Sequence, residues 1–77
     1  MTYEEAQRWL SKIGGQSTQA KEQSRGQGSI IVSVESARLG KVQRHWFFDD
    51  TLTGYEREIE IRRAFTRACN ELKAALA

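Results

Sequence analysis

Apolar residues in the first part of the chain recur with the spacing of an amphipathic helix. Thr2 and Glu5 have the spacing of a capping box, in which each side chain accepts a hydrogen bond from the other residue's backbone N–H. Gly14 and Gly15 follow, and glycine readily adopts the left-handed conformation that ends helices. The pattern predicts a helix over residues 3–13. Its apolar stripe consists of Ala6, Trp9, Leu10 and Ile13.

Residues 15–28 contain no large apolar side chain. Such a segment buries too little apolar surface to offset the conformational entropy that is lost on ordering. It is also longer than most connections within compact domains. The composition therefore predicts a flexible polar loop over residues 15–28, either mobile or ordered by a partner.

The next two segments alternate apolar and polar positions, as half-buried strands do. Residues 29–35 are rich in β-branched side chains, and residues 36–40 supply a turn in which Gly40 suits a positive φ. The pattern predicts a hairpin with strands at residues 29–35 and 42–48. One face would carry Ile30, Val32, Val34, Val42, Arg44, Trp46 and Phe48, and the other Ile31, Gln43, His45 and Phe47.

Residues 55–61 alternate strictly between one set of side chains and three glutamates. A helix at about 100° per residue would leave Tyr55 and Ile59 away from the apolar stripe that follows, whereas a strand would place both with Ile61. The alternation predicts a third strand over residues 55–61 and a helix over residues 62–76. The glutamate and arginine content, and a second capping-box spacing from Thr53, favour the alternative of one long helix.

These elements give an α+β fold in the order α-β-β-β-α, with a three-stranded antiparallel meander sheet and both helices on one face. The alternative is α-β-β-α with a long C-terminal helix. The first order matches that of double-stranded-RNA-binding domains, which is an analogy of element order from which function does not follow. Residues 1–77 are expected to form a single small domain.

Composition narrows the class of protein further. A single cysteine, Cys69, permits no internal disulfide, and no cluster of ligands accompanies the single histidine, His45. No apolar run approaches the roughly 20 residues that cross a bilayer, and the first residues lack a signal-peptide pattern. We therefore expect a cytoplasmic protein that needs no metal or cofactor and does not contact a membrane.

No catalytic constellation is apparent in the sequence. His45 would need a nucleophile beside it, but the predicted elements do not bring it to Cys69. Asp49 and Asp50 follow a strand, where aspartates commonly begin a turn. The Gly-rich segments lack the spacing of a phosphate-binding loop. We expect that the protein is not an enzyme.

The interpretation that requires least of the sequence is a protein-interaction module. If both helices cover one face of the sheet, Ile31, His45 and Phe47 face solvent on the other. Exposed apolar residues that cluster on one face often mark an interface. The partner would be another protein or a second copy of the chain.

A nucleic-acid-binding module is the alternative. The net charge is only +2, but basic and aromatic residues alternate on the hairpin, and such surfaces contact phosphates and stack bases. The row formed by Glu56, Glu58 and Glu60 argues against it, because it would repel a phosphate backbone. The candidate contacts are Arg38, Lys41 and Arg44 on the hairpin, and Arg62, Arg63 and Arg67 at the start of the predicted last helix.

Overall fold

The chain forms two helices and a three-stranded antiparallel sheet in the order α-β-β-β-α, which confirms the predicted fold class. The structure is a computed structural model that describes residues 1–21 and 26–77. The elements are α1 (Tyr3–Lys12), β1 (Gln16–Lys21), β2 (Gln27–Ser36), β3 (Gly40–Asp49) and α2 (Gly54–Leu76).

The hairpin of β2 and β3 forms as predicted, with strands slightly longer than expected. Its turn is held by the Ser36 hydroxyl oxygen, which accepts hydrogen bonds from the backbone N–H groups of Arg38 and Leu39 at 3.3 and 3.1 Å. Gly40 closes the turn with a φ of +75°, a region that favours glycine. The turn fixes the register, which pairs Ile30 with Trp46 and Ile31 with His45.

The third strand is not where the alternation predicted it. Residues 55–61 are helical and form the first two turns of α2, so the prediction of a strand there is wrong and the long C-terminal helix of the alternative is present. Of the residues that motivated the strand, Tyr55 does not need the core, because it is 76% exposed, while Ile61 packs against the core from the helix. Pairs of glutamate and arginine at helical spacing, Glu58 with Arg62 and Glu60 with Arg63, lie along this part of the helix.

The strand that completes the sheet is β1, which lies within the predicted polar loop. The loop prediction is therefore wrong for Gln16–Lys21, and residues 27 and 28 belong to β2; residues 22–25 lie outside the described residues. β2 is the central strand and is buried over much of its length, so its backbone groups need partners on both sides. β3 supplies the hydrogen-bond partners on one side of β2, and β1 supplies those on the other. Main-chain pairing of this kind requires no apolar side chain on β1.

Both helices pack on the same face of the sheet. Gly28 lets the Phe48 ring lie against β2, since a Cβ at this position would be 2.5 Å from the Cζ atom of the ring. Trp9 and Trp46 are half-buried and pack against the core, as expected. The buried core consists of Ala6, Leu10, Ile30, Val32, Val34, Phe48, Ala64, Phe65, Ala68, Cys69 and Leu72.

Candidate interaction surfaces

The face of the sheet opposite the helices brings together the three residues predicted as a protein-interaction site. Ile31 pairs directly with His45 across β2 and β3, and Phe47 pairs with Ser29 in the next row of the same face. The rings of His45 and Phe47 meet edge to face, with centroids 5.1 Å apart. Phe47 is 46% exposed, His45 is exposed and Ile31 is half-buried. We call this surface the open face.

The residues around this cluster carry few charges. The rows that hold His45 and Phe47 continue onto β1 at Thr18 and Ala20. Nearer the hairpin turn, Glu35 lies directly opposite Lys41, so their charges compensate each other. Beyond Phe47, the exposed Asp49 lies opposite Gln27 and adds one negative charge. The open face is therefore a small, nearly neutral surface with an aromatic pair near its centre.

The basic residues predicted to contact nucleic acid do not form one surface. Arg38 lies in the hairpin turn, and Lys41 lies on the open face opposite Glu35. Arg44 pairs with Val32, so it lies on the helix side of β3. The hairpin residues therefore point in different directions.

The three arginines of α2 differ in their partners. Because α2 begins at Gly54, Arg62 lies more than two turns inside the helix, and the prediction that these residues open the last helix is wrong. Arg62 donates to Glu58 at 2.7 Å and Arg63 to Glu60 at 3.3 Å. These pairs reduce the charge available to a phosphate.

Arg67 is placed differently, because its guanidinium lies over the indole of Trp46, 5.3 Å from the ring centroid. Trp46 and Arg44 both lie on the helix side of β3, two residues apart. The sequence placed Trp46 on one strand face with Arg44 but did not join it to Arg67. The signal available was the alternation along β3, but the contact with Arg67 depends on how α2 crosses the strand.

A further surface was not predicted from the sequence. A groove of about 500 Å³ lies between α1 and β1, and α2 closes its inner end. The floor is apolar and the rim carries amide and hydroxyl groups, and none of the described side chains in the lining is charged. The floor consists of Leu10, Ile30, Ile61 and Phe65, and the rim includes Tyr3, Gln7, Ser17 and Gln19.

The groove follows from the polar sequence of β1. Ser17 and Gln19 pair with Val32 and Ile30, so they lie on the helix side of the sheet, yet both are exposed. Because β1 carries no apolar side chain on its helix side, the helices pack on β2 and β3 and leave the helix side of β1 open. This polar segment beside an amphipathic helix would have indicated the groove if the segment had been recognised as a strand.

The residues considered for catalysis lie apart. His45 is on the open face, whereas Cys69 is fully buried among the core residues on the helix side. Burial raises the pKa of the Cys69 thiol to about 11, so the thiol is protonated at neutral pH. Asp49 accepts a hydrogen bond from the backbone N–H of Thr51 in a turn, and Asp50 forms a salt bridge with Arg57 at 2.9 Å.

The described residues, 1–21 and 26–77, contain no group of three or more histidine, cysteine, aspartate or glutamate side chains placed to hold a metal ion. Neither α1 nor α2 has the length and apolar character required to cross a membrane. Comparison of the chain with models of protein families, with curated proteins and with solved structures found no significant match.

Proposed function

We propose that this protein is a small non-enzymatic interaction module that binds protein through its open face. The observation that carries the proposal is the cluster of Ile31, His45 and Phe47, which lies on the sheet face that neither helix covers. Phe47 is 46% exposed, and aromatic residues are enriched at the centres of protein interfaces.

The size of the open face sets the expected strength of binding. Strands of this length and number present a footprint of about 500 Å². Stable interfaces bury about 800 Å² per partner, so contact through this face alone is weak and transient. The first partner to test is a second copy of the chain, because a nearly neutral face can stack on its own copy without strong like-charge repulsion.

The test is sedimentation of the full chain at concentrations from micromolar to millimolar. We expect a concentration-dependent increase in mass that Phe47→Glu abolishes, because the introduced carboxylate would be desolvated without a partner. Ala74→Glu is the matched control, since it adds the same charge at an exposed position of α2, which packs on the other face of the sheet. A wild-type chain that stays monomeric throughout, or an equal effect of both substitutions, contradicts self-association through this face.

A nucleic-acid-binding role is the second candidate, and the arrangement of Arg44, Trp46 and Arg67 favours it. The Arg67 guanidinium lies over a half-buried indole, and Arg44 lies on the same face of β3, so the group can contact phosphates and stack on a base. Glu56, Glu58 and Glu60 lie on the first half of α2 and oppose the approach of a phosphate backbone.

Titration with short single-stranded and duplex oligonucleotides at two salt concentrations separates the two candidates. Under the second candidate, binding weakens with salt and is lost in Arg44→Ala and Arg67→Ala but not in Phe47→Glu. Chemical shifts that do not move at low salt would exclude nucleic-acid binding by Arg44, Trp46 and Arg67.

A further inference from the structure

The outer edge of β1 is a strand edge that lacks the usual protection over most of its length. In the sheet formed by the described residues, β1 pairs with β2 alone. The pairing runs without interruption from Gln16 to Lys21, so no bulge twists the edge away. Proteins commonly guard such edges with charges, prolines or bulges, whereas the first five residues of β1 contain none of these and its only charged residue, Lys21, stands at its last position.

The other edge of the sheet provides the contrast. β3 carries Lys41, Arg44 and Asp49 along its length, and α2 packs against its helix side. Charged side chains of this kind disfavour pairing with a further strand. The two edges therefore differ in their capacity to accept another chain.

The free edge of β1 lies beside the groove, and the two together have the geometry of a peptide-binding site. Thr18 lines the groove although its side chain belongs to the opposite face, so the groove reaches the backbone of the strand. A segment that pairs with this edge would place alternate side chains over the floor formed by Leu10, Ile30 and Phe65. Strand addition of this kind draws affinity from main-chain hydrogen bonds and specificity from the alternate side chains.

The lining of the groove restricts the chemistry of its occupant. Charged residues make up 29% of the chain, yet none of those whose side chains the structure describes lines this groove. A charged side chain placed there would lose its hydration without gaining an opposite charge. The occupant should therefore be uncharged where it faces the groove, with apolar side chains at every second position.

A second copy of the chain does not fit this description. If two copies paired through β1, each would present Ser17 and Gln19 to the groove of the other. These polar side chains do not complement the apolar floor. We propose that the edge of β1 and the adjoining groove bind an extended, uncharged segment of about six residues from another protein, by strand addition.

The proposed site is separate from the open face, so the two can be tested independently. The experiment uses the full chain as bait for a library of random heptapeptides displayed on phage. We expect enrichment of peptides with apolar residues at alternate positions and no charge between them. Enriched peptides are then synthesised, and their affinities are measured by fluorescence polarisation.

Substitutions on the exposed rim of the groove test the location. Gln19→Lys and Ser17→Lys should each weaken peptide binding by about tenfold or more, because they add a charge that the peptide would desolvate. Gln43→Lys adds the same charge to the open face and should leave the affinity unchanged. Backbone amide shifts should change most at Ser17–Gln19 and around Leu10.

Each of the following results would contradict the proposal. A library that yields no peptide preferring the wild-type chain over Gln19→Lys would overturn it, as would enriched peptides that carry charges at the central positions. Shifts confined to His45 and Phe47 would move peptide binding to the open face. Loss of binding in Phe47→Glu with retention in Gln19→Lys would do the same.

Discussion

The N-terminal and C-terminal parts of this fold, α1 with β1 and β3 with α2, attach to the same central strand by different means. On its helix side, β3 carries Val42, Trp46 and Phe48, which pack against the core. β1 carries Ser17 and Gln19 at the equivalent positions, and both are exposed. Burial of apolar surface thus holds β3 in place, while main-chain pairing holds β1.

The two helices differ in the same sense. α1 has only 10 residues, and both hydrogen bonds of its capping box are present, between Thr2 and Glu5. α2 has 23 residues, and its N-cap residue, Thr53, makes no side-chain hydrogen bond to the helix. A short helix gains little from propagation and depends more on its ends. Hydrogen bonds at the helix ends and along the strand therefore matter more in the N-terminal part, and apolar packing matters more in the C-terminal part.

The strongest test of this comparison is one substitution on each edge strand, both on the helix side of the sheet. Phe48→Ala should lower the free energy of unfolding by about 3–5 kcal/mol, because it removes a buried ring and leaves a cavity. Gln19→Ala should change it by no more than about 0.5 kcal/mol, because the side chain is exposed. Urea denaturation followed by circular dichroism measures both.

A loss of about 3–5 kcal/mol in the free energy of unfolding could leave Phe48→Ala unfolded in buffer. Phe48→Leu keeps part of the buried apolar volume, so it should cost less than Phe48→Ala and then provides the measurable variant. If Gln19→Ala destabilised the protein as much as either substitution of Phe48, the distinction between the two strands would be wrong.

A smaller effect separates the two helix caps. Thr2→Ala should lower the free energy of unfolding by about 1 kcal/mol, because the backbone N–H of Glu5 would lose its acceptor. Thr53→Ala replaces the same residue type at the other N-cap, where no side-chain hydrogen bond is lost, and should cost only a few tenths of a kcal/mol. Equal costs, measured by thermal or urea unfolding, would show that the caps do not distinguish the helices.

The sequence predicted most successfully where pattern and environment are local. The capping box and stripe of α1 and the alternation in the hairpin each reflect contacts between residues close in the chain. The placement of Ile31, His45 and Phe47 on one face followed from that alternation and is confirmed, while their role in binding stays a prediction.

The predictions that failed have separate physical causes. β1 exists because the buried backbone of β2 needs a second partner, and nothing within Gln16–Lys21 records that requirement. Residues 55–61 alternate by charge in a way that resembles a strand, but the pairs of Glu58 with Arg62 and Glu60 with Arg63 satisfy a helix. The groove depends on where α1 lies relative to β1, so it could not be predicted once the strand was missed.

The smallest expected effect concerns the pH dependence of α1. The backbone N–H of Thr2 donates to the Glu5 carboxylate at 3.0 Å, and this hydrogen bond, with that to the Thr2 side chain, lowers the pKa of Glu5 below its ordinary value. A carboxylate whose pKa is lowered on folding stabilises the protein above its unfolded-state pKa of about 4.3. That contribution is lost as the pH falls through the lower folded-state value.

Glu5→Gln should therefore lose less stability than the wild type between pH 6 and pH 3, as measured by urea midpoints at each pH. Glu4→Gln removes the same charge from the same first turn but lies outside the capping box, so it should retain the wild-type slope. If both variants flattened the curve equally, the effect would come from the general charge of the first turn and its interaction with the helix dipole. A difference confined to Glu5→Gln would instead show that the N-terminal part draws stability from one exposed pair of hydrogen bonds, which the longer α2 does without.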